Sequence, residues 1–201
     1  MELPASVLSV ENFELSPEAY AQVRGDRRAE AIRLRRARRV RLGDLVMVEF
    51  ENAETLRYQA QEMLYVERVT DPVTAAAEVA VYERLLPRGT TVTATMFVEI
   101  DDADRIRPEL DRLDGLHDAV RIDVGDAACR ARDIPPPDEG PTKHTVSVHF
   151  LGFDLSPEVL AALRQGAPAT LVADHPEYQA RASLPAELVT LLLRDLGHED
   201  V

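Results

Sequence analysis

Between Thr90 and Ile100 the side chains alternate with period two. Val92, Ala94, Met96, Val98 and Ile100 share one parity. A β-branched run with this period is a strand with one face against a core. Its backbone N–H and C=O groups need partners, so neighbouring strands are required. The sequence supplies them. Val40 to Glu51 places Val40, Leu42, Val46, Val48 and Phe50 on one parity, with a bend expected at Gly43-Asp44. Thr145 to Leu155 places Val146, Val148 and Phe150 on one side and Ser147, His149 and Leu151 on the other. Val120 to Val124 is set to pair with Ala128 to Ile134 across Gly125-Asp126. Ala169 to Ala173 is set to pair with Tyr178 to Leu184 across the Asp174-His175-Pro176-Glu177 turn.

Helical signals fall between these strands. Ser16-Pro17 and Ser156-Pro157 read as a cap followed by proline at the first helical position. The first helical run extends to about Ala37, with Gly25-Asp26 as a possible interruption. The second run extends to about Gln165. Pro72 to Leu86, Asp101 to Asp114 and Pro185 to Leu196 complete the set. The expected class is α+β: a single two-lobed domain with mixed or antiparallel sheet(s) and flanking helices. Lobes 1–134 and 142–201 would be joined by a Pro-rich hinge at 135–141, PPPDEGP. The second lobe is too short to be stable by itself and should pack on the first.

The stretch Thr55 to Val69, TLRYQAQEMLYVERV, crowds aromatic, amide, carboxylate and arginine side chains into one segment. Helix is favoured over strand, because the alternation from Leu56 to Gln61 breaks at Met63-Leu64. Asn52 is the expected N-cap and Asp71-Pro72 the expected stop. Leu56, Ala60, Met63 and Leu64 then form an apolar stripe. Glu67 falls within it, so its carboxylate is expected to be buried and paired with an arginine. Tyr58, Glu62, Tyr65 and Val69 form a second, mixed stripe.

From Arg24 to Arg41, nine arginines face two acids, a balance of +7 that leaves −20 for the rest of a chain of net charge −13. The overall charge argues against general nucleic-acid binding. The arginine run reads either as a docking face for an acidic partner, phosphate or RNA, or as a solvated helix paired with the protein's own carboxylates. The second reading is favoured for Arg33, Arg35, Arg36, Arg38 and Arg39. A single cysteine, Cys129, precludes an internal disulfide or a Cys-rich cluster. Neither a signal peptide nor a membrane span is legible, so a soluble cytoplasmic protein is expected.

No nucleotide loop, zinc-protease motif or nucleophile elbow occurs, and no cofactor is expected. Asp195-x-x-His198 reads as surface. Cys129 beside Arg130 and Arg132 is a weak candidate for a lowered thiol pKa. Glu62, Glu67, His149 and His175 form the alternative metal set, carboxylate and imidazole ligands without a recognised spacing.

Across nearly the whole chain, in order, the sequence resembles a bacterial family catalogued as domain of unknown function 3501. The resemblance rests on Arg38-Arg39-Val40 with Leu42-Gly43, on Phe50-Glu51-Asn52, and on Tyr58-Gln59-x-Gln61-Glu62-Met63. It continues through Ala94-Thr95-Met96 with Glu99, His149-Phe150, and Asp174-His175-Pro176 with Tyr178. Ala60 departs from it, standing where a larger aliphatic residue is expected. The family name carries no activity. The resemblance implies a context, since genes of this kind often lie beside rubrerythrin-like proteins and iron–sulfur oxidoreductases. The functional expectation is a non-catalytic accessory protein serving such a redox metalloprotein. Its partner would be met by Tyr58, Gln61, Glu62 and Tyr65 first, then by Arg35, Arg38 and Arg39. A Glu/His metal site or enzyme, and nucleic-acid or phosphate binding through Arg24–Arg41, are the alternatives.

Overall fold

The computed structural model describes residues 8–135 and 144–197. The chain divides into two compact units. One takes Glu51–Leu86 and the described residues up to Ala37. The other takes Arg38–Phe50 and the described residues from Pro87 onward. Most of the expected hinge, and His198, lie outside the described residues.

The second unit is built on an eight-stranded sheet. Its strands are β1 (Arg39–Leu42), β2 (Val46–Phe50), β3 (Thr91–Val98), β4 (Val120–Val124), β5 (Ala127–Asp133), β6 (Val148–Asp154), β7 (Ala169–His175) and β8 (Tyr178–Ser183). They are ordered β1-β2-β3-β6-β5-β4-β7-β8, and every neighbouring pair is antiparallel. The fold class is therefore α+β with an antiparallel sheet.

The run from Val40 to Glu51 is two strands rather than one. Gly43 adopts a left-handed φ of 73°, and β1 folds back on β2 with Leu42 opposite Val46. A left-handed φ suits glycine, which has no Cβ to collide with the backbone. The two ends of the sheet also meet at this turn. The Tyr178 hydroxyl on β8 donates to the Leu42 carbonyl at 2.5 Å and accepts from the Leu45 amide at 3.1 Å. The sheet thus curls almost to a closed barrel, which removes most of its exposed edge. A Cβ on Gly43 would collide with the Tyr178 hydroxyl.

Leu42, Val48, Met96, Ile122, Leu151, Phe153 and Leu171 are buried on the inner face. Phe50 and Phe153 rings lie 6.1 Å apart. The helices α5 (Pro157–Arg164) and α6 (Ala186–Asp195) add Val159, Leu160, Leu163, Leu188, Leu192 and Leu193 to that core. The helix α4 (Ala103–Arg112), in the same unit, buries no residue. It carries ion pairs along its surface, Arg105–Glu109 and Arg107–Asp111 at i,i+4 spacing.

On β6 the inner face is the one carrying His149, Leu151 and Phe153, while Val146 and Val148 remain exposed. The longer apolar series continuing through Leu155 decides which parity is buried.

The first unit is helical: α1 (Pro17–Arg36), α2 (Ala53–Val66) and α3 (Pro72–Glu83). Ser16 caps α1 by accepting from the Ala19 amide at 3.2 Å, and the helix runs through Gly25 without a break. An exposed interior glycine costs about 1 kcal/mol of helix propensity but need not end the helix. Asn52 caps α2 in a reciprocal box, its side chain bonding the Thr55 amide and Thr55 Oγ1 bonding the Asn52 amide, both at 2.9 Å.

The expectation for Glu67 is overturned. α2 ends one residue earlier, Glu67 is the exposed C-cap, and Arg68 takes a left-handed φ of 53°. The Val69 amide bonds back to the Leu64 carbonyl at 2.9 Å and the Arg68 amide to the Tyr65 carbonyl at 3.2 Å. This is a Schellman closure. It turns the chain before Glu67 can reach the stripe of Leu56, Ala60 and Leu64. Asp71 caps α3 instead, accepting from the Thr74 amide at 2.8 Å.

Candidate functional site

Helical spacing puts Tyr58, Glu62 and Tyr65 of α2 on the side facing α1. Glu62 is the centre of the resulting cluster. Arg24 holds it with two nitrogens, Nη2 at 2.7 Å from Oε2 and Nε at 3.0 Å from Oε1. The Tyr20 hydroxyl donates to Oε1 at 2.9 Å. The Arg24 guanidinium lies over the Tyr65 ring, 4.9 Å from its centroid, and Tyr65 packs on Tyr20 at 5.4 Å. Burial disfavours the Glu62 charge, but the bonds from Arg24 and Tyr20 outweigh it and hold its pKa below the usual carboxylate value. Burial and the bond to Glu62 push the Tyr20 phenol well above its ordinary value. Both carboxylate oxygens of Glu62 are therefore occupied.

Gln61 is buried and makes a paired amide contact with the chain. Its Oε1 accepts from the Glu14 amide at 2.9 Å, and its Nε2 donates to the Glu14 carbonyl at 2.8 Å. It fastens the segment before α1 to α2. Glu51 is buried nearby, accepting from Thr55 Oγ1 at 2.5 Å and from Gln59 Nε2 at 2.9 Å.

Tyr58, half-buried, stands between two surface grooves of this unit. The first, about 550 Å³, is lined on α1 by Tyr20, Val23, Arg27 and Arg33 and on α2 by Glu54, Arg57 and Gln61. The second, about 560 Å³, is lined on α1 by Arg24, Arg28, Ile32 and Arg35 and on α2 by Glu62, Met63 and Val66.

The arginines of the run part company. Arg35 lines the second groove with Tyr58. Arg38 and Arg39 belong to the sheet unit. Arg38 is buried and forms a fork on Asp195 at the end of α6, with contacts of 2.6 and 3.1 Å. Arg39 reaches its cross-strand partner Glu49 at 2.5 Å. The expectation of internal pairing thus describes these two. Arg33 and Arg36 form no ion pair among the described residues.

The histidines lie in the sheet unit. The His175 Nε2 bonds the Asp114 carbonyl at 2.8 Å, and its Nδ1 accepts from the Glu177 amide at 3.2 Å, which makes it turn chemistry. His149 accepts from the Val146 amide through Nε2 at 3.0 Å. Its ring stacks on His117 with centroids 4.4 Å apart and planes 10° off parallel. Both rings are buried, and among the described residues neither Nδ1 has a hydrogen-bond partner. Burial, with help from His117, pushes the His149 pKa down to about 4. The pairing with His117 was not legible, since 32 residues separate the two in the chain. Among the described residues no group of three His, Cys, Asp or Glu side chains is placed to hold a metal ion. Cys129 is buried, its thiol pushed up to about 11 by burial and by Asp154, opposite to the lowering its neighbouring arginines suggested. No helix among the described residues is long and apolar enough to cross a membrane.

Residues 11–196 match the sequence model of a family described as Protein of unknown function (DUF3501). No curated protein matches the chain. Among solved structures, a protein of unknown function from Burkholderia pseudomallei K96243 is similar. The two share 34% identity over 90% of this chain and 95% of that one, with a TM-score of 0.84.

Proposed function

We propose, for a chain that belongs to the DUF3501 family, that it works as a non-catalytic interaction protein whose partner docks on the α1–α2 face. The observation that carries this reading is α1 itself. It is 20 residues long and buries only Tyr20 and Ala31. Most helices owe their stability to an apolar face packed against a core. Here Val23 and Ile32 are left 45% and 57% exposed, and Val66 across the groove 67%. Arginine beside tyrosine and exposed aliphatic side chains is the composition of interface anchors. The cluster of Glu62, Arg24 and Tyr20 bonds α1 to α2 across this face, and side chains already held in place lower the entropic cost of docking.

The partner's character follows from the family resemblance, whose gene context implies a redox metalloprotein, rubrerythrin-like or an iron–sulfur oxidoreductase. The redox centre would then be the partner's. The test is co-expression with the neighbouring gene products, with metal content measured on the complex and on the isolated chain. A complex lost on Ile32→Asp, with its metal retained by the partner, is the expected result. Stoichiometric metal on the isolated chain, abolished by His149→Ala or His175→Ala, would overturn the reading in favour of a metal site.

A further inference from the structure

The chain has five histidines, and four of them meet at one place in the sheet unit. His117 lies in the short 3-10 helix Leu116–Ala119, His149 at the start of β6, His175 at the end of β7 and His144 shortly before β6. Here residues 144–149 are fastened to the turn at 113–118, and Thr145 is the pin. Its amide donates to Asp114 Oδ1 at 2.9 Å and its hydroxyl to the Leu113 carbonyl at 2.7 Å. The same hydroxyl oxygen accepts from the Gly115 amide at 3.0 Å. His144 Nδ1 stands 3.6 Å from Asp114 Oδ2, and His175 bonds the Asp114 carbonyl.

The fastening ends on an imidazole. His149 Nε2 accepts from the Val146 amide at 3.0 Å. That nitrogen carries no proton, so the neutral ring holds its single proton on Nδ1. A second proton can enter only at Nε2, and two N–H groups facing each other make no bond. The imidazolium and the Val146 bond therefore exclude one another. His117 stacks on the ring and, with burial, disfavours the cation. Asp118, beside His117, and Asp133, at the end of β5, pull the other way, and β3 presents the uncharged Met96 opposite His149. The two rings are nearly parallel, so their nitrogen lone pairs run side by side and do not converge on a metal ion. Once the segment lifts away, the ring is solvated and binds a proton as an ordinary histidine. Falling pH therefore favours the lifted form.

We propose that residues 144–149 form an acid-released latch: a proton taken from solvent by His149 expels the Val146 amide and frees Thr145 from the 113–115 turn, while the sheet stays folded.

The test is amide exchange of the full chain, followed by NMR from pH 7.5 to 4.5, with each rate divided by its intrinsic rate at that pH. Protection of the Gly115, Thr145 and Val146 amides is expected to fall about tenfold or more over this range. The measurement is repeated in sub-denaturing urea. Lifting a short segment exposes little surface, so these three rates should not respond to urea, whereas amides of β2 and β4 that exchange by unfolding should accelerate. His149→Phe keeps a ring but offers the Val146 amide no acceptor, so it should leave that amide weakly protected at every pH. Asp133→Asn should move the release to lower pH, because it removes a charge that favours the imidazolium. His117→Phe should move it to higher pH, because it removes a neighbour that opposes it.

Protection that does not change with pH overturns the proposal. A urea response equal to that of β2 and β4 overturns it in favour of global acid unfolding. The same fall in His149→Phe assigns the proton to another group and overturns it too. If His149→Phe does not fold, the opposite shifts of Asp133→Asn and His117→Phe decide, and shifts that are absent or in one direction sink the latch.

Discussion

A neutral imidazole at His149 follows from burial, which outweighs the pull of the acids around it. It stacks on His117, which also disfavours its charge, while Asp133 and Asp118 favour it. A folded pKa of about 4 against an ordinary 6.5 means that the unfolded chain takes up the proton first. The associated stability is fully present above pH 6.5 and declines as pH falls towards 4. The full effect is on the order of 3 kcal/mol. Urea midpoints measured from pH 7.5 to 4.5 should fall more steeply for the native chain than for His149→Phe, which keeps a stacked ring but cannot titrate. Parallel curves would show that the ring is not held neutral. Arg68 offers a second test at this scale. A residue with a Cβ is strained at φ 53°, so Arg68→Gly should raise the unfolding free energy by about 0.5–1 kcal/mol. A lower melting temperature would mean that the arginine side chain contributes more than the strain costs.

At the scale of elements, the Arg38–Asp195 fork joins the start of β1 to the end of α6. Asp195 sits at a helix C-terminus, where a negative charge is disfavoured by the dipole, and Arg38 compensates it. Arg38 has only 2% of its side chain exposed. Asp195→Asn therefore leaves a buried guanidinium without its counter-ion and should cost about 3–5 kcal/mol in denaturant unfolding. A loss below 1 kcal/mol would place the pair among ordinary surface bridges. The β1–β2 turn offers the matching backbone test. Gly43→Ala combines a left-handed φ with a collision at the Tyr178 hydroxyl, which is bonded on both sides and cannot swing away. A loss of about 2–4 kcal/mol is expected from strain and overpacking together. Tyr178→Phe in the same background should recover part of it.

At the scale of the whole molecule, the sheet order interleaves early and late segments. β6 lies between β3 and β5, and β4 lies between β5 and β7. Neither the chain before residue 136 nor the chain after 143 can complete the hydrogen-bond ladder of this sheet by itself. A protease site inserted within 136–143 and cut should leave two fragments that co-elute on gel filtration until denaturant is added. Spontaneous separation in native buffer would mean that the pairings of β6 are marginal.

Local chemistry was enough for the elements whose signals are local. Ser16-Pro17 and Asn52 set helix starts through bonds within three residues, and the alternation of Thr90 to Ile100 marked a strand because period two is a property of the strand alone. The family, too, was legible in short blocks spread along the chain. Tertiary structure decided whatever depended on distant partners. It fastened the bend at Gly43-Asp44, where the strand folds back as a hairpin, to Tyr178 from 136 residues away. It buried His149 rather than Val148, because Leu151 and Phe153 share the parity of His149. It sent Arg38 into the core and left Arg28 on the surface, though both lie in one basic run. Spacing in a sequence reports which side chains share a face; what stands opposite that face is fixed only when the chain packs.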